Sequence, residues 1–150
     1  MMRVLTLVAL MTTPTLVQAQ MRPGEWQLTA RITSLEKSNA SPEQAEEYKK
    51  GQPRPEIRRL CVTPEQAALG PVGLVRDSLG PGCRITRHNT SDGKFEMATA
   101  CDTNGVRATG NMTGTFSDTK FNVETVIDGE GTYRAKIRIA TTGERIGDCK

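Results

Sequence analysis

Apolar and polar residues alternate with a period of two along most of residues 83–140, which is typical of half-buried β-strands. Turn signals interrupt the alternation at residues 91–93, 103–106, 117–120 and 129–131. One of these turns contains Asn104-Gly105, a pair that favours a two-residue hairpin turn. The pattern therefore predicts five consecutive antiparallel strands in an up-and-down meander.

The lengths of the turns fix which residues face each other across the strands. We take Asn104-Gly105 as a two-residue turn, and residues 91–93 and 129–131 as three-residue loops that end in glycine. This register gathers the apolar residues on one face of the sheet. The predicted facing pairs are Met97 with Met112, Phe121 with Phe116 and Ile139, Val123 with Ile137, Ile127 with Tyr133, and Cys83 with Cys101.

Before the meander, alternation around Trp26 predicts a strand over residues 25–34, and a second strand is predicted over residues 56–62. Capping boxes predict a helix over residues 42–50 and a short helix between Thr63 and Gly70. Two further segments lack a regular pattern. Residues 71–82 are expected to form an irregular flap, either packed over the sheet or serving as a lid, and residues 141–150 a glycine-rich end.

These elements predict a mainly β fold, namely an antiparallel meander with one or two short helices and two disulfides. Gly110 and Gly114 fall on the apolar face, where missing side chains let a sheet bend. Bending of this kind would curve the meander into a barrel or half-barrel.

The first residues have the features of a signal peptide. Arg3 supplies a positive charge, residues 4–11 are apolar, and Val17-Gln18-Ala19 is a small-x-small cleavage motif. Cleavage after Ala19 would leave a single domain of residues 20–150. The apolar run is too short to span a bilayer, so we expect a periplasmic protein without a transmembrane anchor, and a monomer.

Four cysteines in an exported chain indicate two disulfides. Because the register sets Cys83 opposite Cys101, the remaining pair is Cys61 with Cys149. Zinc is the other common use of four cysteines. The chain has neither a Cys-x-x-Cys pair nor a histidine near a cysteine, so no metal or other cofactor is expected.

The net charge and the reactive residues argue against two classes of function, nucleic-acid binding and catalysis. A net charge of +3 is too small to imply a nucleic-acid partner. His88 is the only histidine, and the register places it on the polar face, away from any nucleophile. Since no catalytic dyad or pair of tuned carboxylates can be drawn, we do not expect an enzyme.

A binding function is therefore favoured. The concave face is expected to carry the ligand-binding residues Trp26, Met97, Met112, Phe116 and Tyr133. Methionine and aromatic side chains adapt to apolar shapes, so the expected ligand is an apolar or amphipathic small molecule or an envelope component.

The alternative is a structural or interaction protein with a filled core. Such a protein would act through an edge strand or through the basic stripe Arg134, Lys136 and Arg138. The predicted register sets Glu124 opposite Lys136, which partly neutralises that stripe.

Three motifs resemble the landmarks of a known family. They are Arg-Pro-Gly-Glu-Trp at residues 22–26, Leu-Cys-Val-Thr-Pro-Glu at residues 60–65 and Arg-Ile-Gly-Asp-Cys at residues 145–149. Together they look like a family of small exported Gram-negative bacterial proteins catalogued only as a domain of unknown function. The resemblance implies a periplasmic, disulfide-bonded β domain with no catalytic residues to carry over. Gln27 departs from it, since an acidic residue is expected after the tryptophan.

Overall fold

The computed structural model describes residues 20–51 and 54–150, so the predicted signal peptide, residues 1–19, lies outside the described residues. The described part forms seven strands and three short helices. In chain order they are β1 (Gly24–Lys37), α1 (Pro42–Lys49), β2 (Glu56–Val62), α2 (Pro64–Ala68), α3 (Pro71–Ser78), β3 (Cys83–Ser91), β4 (Lys94–Thr103), β5 (Val106–Phe116), β6 (Lys120–Glu130) and β7 (Arg134–Gly147).

All seven strands join one antiparallel sheet in the order β2-β1-β7-β6-β5-β4-β3. The five predicted meander strands are confirmed as β3 to β7. β1 pairs with the end of the meander and β2 pairs with β1. The sheet does not close, because β2 and β3 are its two edges, and the fold is a half-barrel.

Two of the hairpins use two-residue turns. Asp92-Gly93 and Asn104-Gly105 both have positive φ angles, as type I′ turns require. Ser91 pairs with Lys94, so the three-residue loop expected at residues 91–93 is one residue shorter. The pairing Met97 with Met112 and Cys83 with Cys101 is confirmed.

The β6–β7 register differs from the prediction by four residues. Ile127 pairs with Ile137 rather than Tyr133, because β6 runs on to Glu130 and the loop is formed by residues 131–133. In the same way Val123 faces Thr141, and Phe121 faces Gly143 while keeping Phe116 on its other side. Since four is an even number, the side chains within the β6–β7 ladder still point to the expected face of the sheet.

Two segments expected to be irregular are regular. Residues 71–78 form α3, which begins at Pro71 directly after Gly70 with its positive φ of 62°. Proline is favoured at the first position of a helix. Two residues later, Gly73 has no side chain, and α3 can therefore lie against the backbone of Gln66 in α2. Residues 141–147 continue β7, because they pair with β1.

The core lies on one face of the sheet, beneath α2 and α3. Trp26 is fully buried, with its ring stacked on Phe121 at 5.7 Å between centroids. Gly143 leaves room for the Phe121 ring, and Gly114 does the same for Phe95. The buried cluster consists of Met21, Trp26, Val62, Ala67, Phe95, Phe116 and Phe121. We call this side of the sheet the helix-covered face.

Both predicted disulfides are present. Cys83–Cys101 joins β3 to β4, and Cys61–Cys149 joins β2 to the segment after β7. Two disulfides indicate folding in an oxidising compartment outside the cytoplasm. No helix among the described residues is long and apolar enough to cross a bilayer.

Candidate functional site

The structure separates the five residues that were predicted to bind a ligand. Trp26, Met97 and Phe116 are buried on the helix-covered face, and Met112 packs against the same cluster. These side chains fill the interior of the domain. Tyr133 lies apart from them in the β6–β7 turn.

Tyr133 was expected on the concave face and is instead 42% exposed. Its position follows from the longer β6, which places residue 133 in the turn rather than opposite Ile127. The Lys37 ammonium lies 4.5 Å from the centre of the Tyr133 ring and 6.0 Å from that of Tyr48 in α1. Tyr133 therefore contributes to a cation–π contact at the end of the sheet.

A cleft of about 780 Å³ lies at the end of the sheet near the 103–106 and 131–133 turns. Its charged side chains alternate with those of the helix-covered face, so they belong to the opposite, polar face. We call it the polar-face cleft. Lys37 also lines the cleft, although the alternation along β1 places it on the other face. The charged lining residues of the polar face are Glu36, Arg84, Asp102, Arg107, Asp128, Glu130, Arg134 and Lys136.

The register explains why these side chains meet. One cross-strand row runs over six strands, and a second row runs beside it over four. Along each row, positive and negative charges alternate. The first row is Arg84, Ala100, Thr109, Asp128, Lys136 and Glu36, and the second is Asp102, Arg107, Glu130 and Arg134.

Two of the five cations in the cleft are held by ion pairs. The Lys136 ammonium lies 3.6 Å from Asp128, and the Arg134 guanidinium lies 3.2 Å from Glu130. The expected pairing of Lys136 with Glu124 is wrong, because the shifted register sets Glu124 opposite Ala140. These ion pairs neutralise most of the predicted basic stripe.

The other three cations have no such partner within residues 20–51 and 54–150, and one of them, Lys37, instead lies over the rings of Tyr133 and Tyr48. Neither Arg84 nor Arg107 makes an ion pair there. They lie at the β3–β5 end of the cleft, with Ala100 and the Thr109 hydroxyl between them in the sheet. This end of the cleft thus combines the small side chains of Ala100 and Thr109 with two guanidinium groups that make no close ion pair, and the Asp102 carboxylate lies opposite Arg107.

Sequence reasoning missed most of this site. Arg84, Asp102, Arg107 and Asp128 each look like ordinary exposed residues of a strand. The signal that could have found them was the correct β6–β7 register, because only then do the charges fall into rows.

His88 was expected on the polar face, and this placement is wrong. The register shifts between Ile85 and Arg87, so that His88 pairs with Met97 and belongs to the helix-covered face. A β-bulge of this kind inverts the direction of every side chain that follows it. His88 borders a second cleft, of about 360 Å³, together with Phe116 and residues of α2 and α3.

The three sequence landmarks meet at the opposite end of the sheet from the polar-face cleft. The Arg145 guanidinium donates to the Pro23 carbonyl at 2.9 Å and also contacts Asp148. The Trp26 indole N–H donates to the Arg22 carbonyl at 3.0 Å. These contacts fasten the start of β1 to the end of β7. The Cys61–Cys149 disulfide joins the second landmark to the third, so the three landmarks form a structural junction.

A family model described as "Protein of unknown function (DUF3617)" matches residues 21–149. The chain belongs to this family. The match spans the junction and both disulfides, in agreement with the resemblance noted in the sequence. No curated protein and no solved structure matches the chain.

Among the described residues, no group of three or more histidine, cysteine or acidic side chains is arranged to hold a metal ion. The polar-face cleft carries both charge signs on neighbouring strands. It can therefore form salt bridges and hydrogen bonds with a charged ligand.

Proposed function

We propose that this DUF3617 domain is an exported, non-catalytic binding module and that its ligand occupies the polar-face cleft. The proposed ligand is an amphipathic molecule or envelope component that carries an anionic group, a phosphate or a carboxylate. One observation carries the proposal: Arg84 and Arg107 border the cleft without an ion-pair partner among the described residues.

Arginine suits this role because its planar guanidinium binds phosphate or carboxylate through two parallel hydrogen bonds. Arg134 and Lys136 are less available, since Glu130 and Asp128 already hold them. The anionic group is therefore expected at the β3–β5 end. The volume of about 780 Å³ also lies within the usual range for small-molecule sites.

The helix-covered face remains a predicted alternative for an apolar ligand, with less support. Trp26 and Met97 are both in close contact with neighbours there and almost fully buried. A ligand that reached them would have to displace α2 and α3. The polar-face cleft is already open, so binding there requires no such rearrangement.

We further propose that the working compartment is the periplasm. The two disulfides support an oxidising compartment. The small-x-small motif at residues 17–19 supports export through a cleaved signal peptide.

The test is a ¹⁵N NMR titration with two probes, inorganic phosphate and monomeric dihexanoyl phosphatidylglycerol. We expect amide shifts at Ala100, Thr109 and their neighbours, stronger with the lipid if the ligand is amphipathic. Arg84→Gln and Arg107→Gln should each weaken binding by about tenfold, because each removes a charge-assisted hydrogen bond.

Arg138→Gln is the matched control. Arg138 lies on the same face of β7 but faces Ser34 and Val126, outside the cleft. Its replacement should leave both titrations unchanged. Equal weakening by all three substitutions would instead indicate non-specific attraction to a basic surface. Absence of shifts in the cleft with either probe would contradict the proposal.

A second candidate function is the recruitment of an extended peptide at the edge strand β2. Ile57 is 59% exposed on this edge, where unpaired backbone groups can accept another strand. Ile57→Lys should abolish such recruitment, as measured by crosslinking in periplasmic extract, and leave the NMR titrations unchanged.

A further inference from the structure

The bulge in β3 places two arginines side by side on the polar face. The pairing of β3 with β4 shifts between Ile85 and Arg87, so Thr86 is an extra residue without a partner in β4. In a regular strand Arg84 and Arg87 would point to opposite faces, because successive side chains alternate. The extra residue brings Arg87 to the same face as Arg84.

Two observations support this direction of Arg87. It pairs with Ala98, which lies two residues from Ala100 and therefore on the same face of β4. The next residue, His88, pairs with Met97 and lines the cleft beside α2 and α3, on the helix-covered face. Arg87 therefore points away from these helices. Bulges are often found next to active sites, where they re-aim a side chain in this way.

The two arginines begin two neighbouring cross-strand rows of the same composition. Each row continues with an alanine in β4 and with a neutral hydrogen-bonding side chain in β5. Two residues of a strand span about 7 Å, so the rows lie side by side at about that spacing. We call the two rows together the twin-row surface; they are Arg84, Ala100 and Thr109, and Arg87, Ala98 and Asn111.

The twin-row surface carries two positive charges and no negative charge of its own. Both arginines are exposed, and neither makes an ion pair within residues 20–51 and 54–150. The two alanines are small, so the space above β4 is open to a ligand. Two carboxylates border the surface along β4, Asp102 beside the first row and Glu96 beside the second.

We propose that the ligand of this domain carries two anionic groups and that the twin-row surface binds both. This inference rests on the proposed function, because the group in the row of Arg84 is the one proposed for the polar-face cleft. The second group lies in the row of Arg87, outside the lining of that cleft. Each row offers a planar guanidinium and a neutral donor, which suit phosphate or carboxylate. The ligand class is therefore a dianion whose charged groups are about 7 Å apart.

The second row strengthens binding because the two contacts act together. Once the first group is bound, the second is held at a high local concentration beside Arg87. A ligand with one anionic group can occupy only one row at a time. We therefore expect a dianion to bind more tightly than a matched monoanion, and we expect Arg87 to account for the difference.

The test compares two probes in ¹⁵N NMR titrations, butylphosphonate with one anionic group and tetramethylene diphosphonate with two. The diphosphonate should bind at least about tenfold more tightly and should shift the amides of Ala98 and Ala100. Arg87→Gln should remove most of this difference while changing the affinity for butylphosphonate by less than about twofold. Arg84→Gln should weaken the binding of both probes.

Two further variants serve as controls. Arg138 lies on β7 in the same cross-strand row as Arg87, and Arg138→Gln should change neither titration. Glu96→Gln should strengthen the binding of the diphosphonate alone, by about twofold, because it removes a negative charge beside the second row.

The outcomes separate this inference from the proposed function. Equal affinities for the two probes, or equal effects of Arg87→Gln on both, would overturn the second row and leave the first intact. Equal weakening by Arg87→Gln and Arg138→Gln would also overturn it, because the surface would then attract anions by general charge. Absence of shifts at Ala100 and Thr109 with either probe would contradict the proposed function itself.

Discussion

The two faces of this one sheet are built from the same strands by opposite means. The helix-covered face excludes water from Trp26 and Phe121, whose rings stack on each other, and the Phe121 ring lies over Gly143. The polar-face cleft keeps its side chains in water and holds them by pairing charges, as Lys136 does with Asp128. Because burial contributes far more free energy than an exposed ion pair, stability should depend on the first face and recognition on the second.

The largest expected effect is the loss of Trp26. Trp26→Ala should lower the free energy of unfolding by about 4 kcal/mol, because it leaves a cavity at the centre of the cluster. Urea denaturation measures this change. Ile57→Ala, at an exposed position, should cost less than about 1 kcal/mol. Similar costs for the two substitutions would contradict the contrast between core and surface.

A smaller effect is expected from two glycines of β7. A Cβ at Gly143 would strike the Phe121 ring, whereas a Cβ at Gly147 would meet nothing within 4 Å. Gly143→Ala should therefore destabilise the domain by about 2 kcal/mol, and Gly147→Ala should be neutral or slightly stabilising. Thermal unfolding of both variants checks the expectation, and equal melting temperatures would show that Phe121 can move aside freely.

The ion pairs of the polar-face cleft should contribute little stability. A double-mutant cycle with Lys136→Gln and Asp128→Asn should give a coupling energy of about 0.5 kcal/mol, which decreases as salt is added. Urea titrations at low and high ionic strength measure it. A coupling above about 2 kcal/mol, unaffected by salt, would mean that the cleft is part of the structural core.

The smallest effect concerns acid stability at the helices. A hydrogen bond from Gln66, together with one from Arg76, lowers the pKa of Asp77 below its ordinary value of 3.8. This contribution is present above the ordinary pKa and is lost as the pH falls through the lower folded value. Asp77→Asn should therefore flatten the acid limb of the stability curve, measured by circular dichroism. If the stability of Asp77→Asn and of the unmodified protein falls in the same way as the pH is lowered, Asp77 makes no such contribution.

Much of the fold could be predicted because burial imposes a period of two. Met97 and Met112 fall opposite each other, and the cysteine pairing follows from the same alternation. The prediction failed where one residue changed the geometry. The bulge before Arg87 reversed His88, and the longer β6 moved Tyr133 into a turn.

The polar-face cleft could not be predicted for a related reason. Its residues share no local motif, and they meet only through pairings between distant strands. Arg84 and Glu36, at the two ends of one row, are brought together by the register of six strands. An error of four residues in the predicted β6–β7 register paired Lys136 with Glu124 instead of Asp128, so the row could not be recognised.

The position of β1 beside β7 has a consequence for how the chain acquires its structure. Pro23 and Arg145, which meet at this seam, are 122 residues apart in the sequence. The hairpins from β3 to β7 join neighbouring segments of the chain and can therefore form early. Residues 24–30 can pair early with β2, but the ladder between β1 and β7 must wait for residues 134–147. Until then Trp26 lacks its stacking partner Phe121, so we expect this segment to be exposed to chaperones while the chain folds.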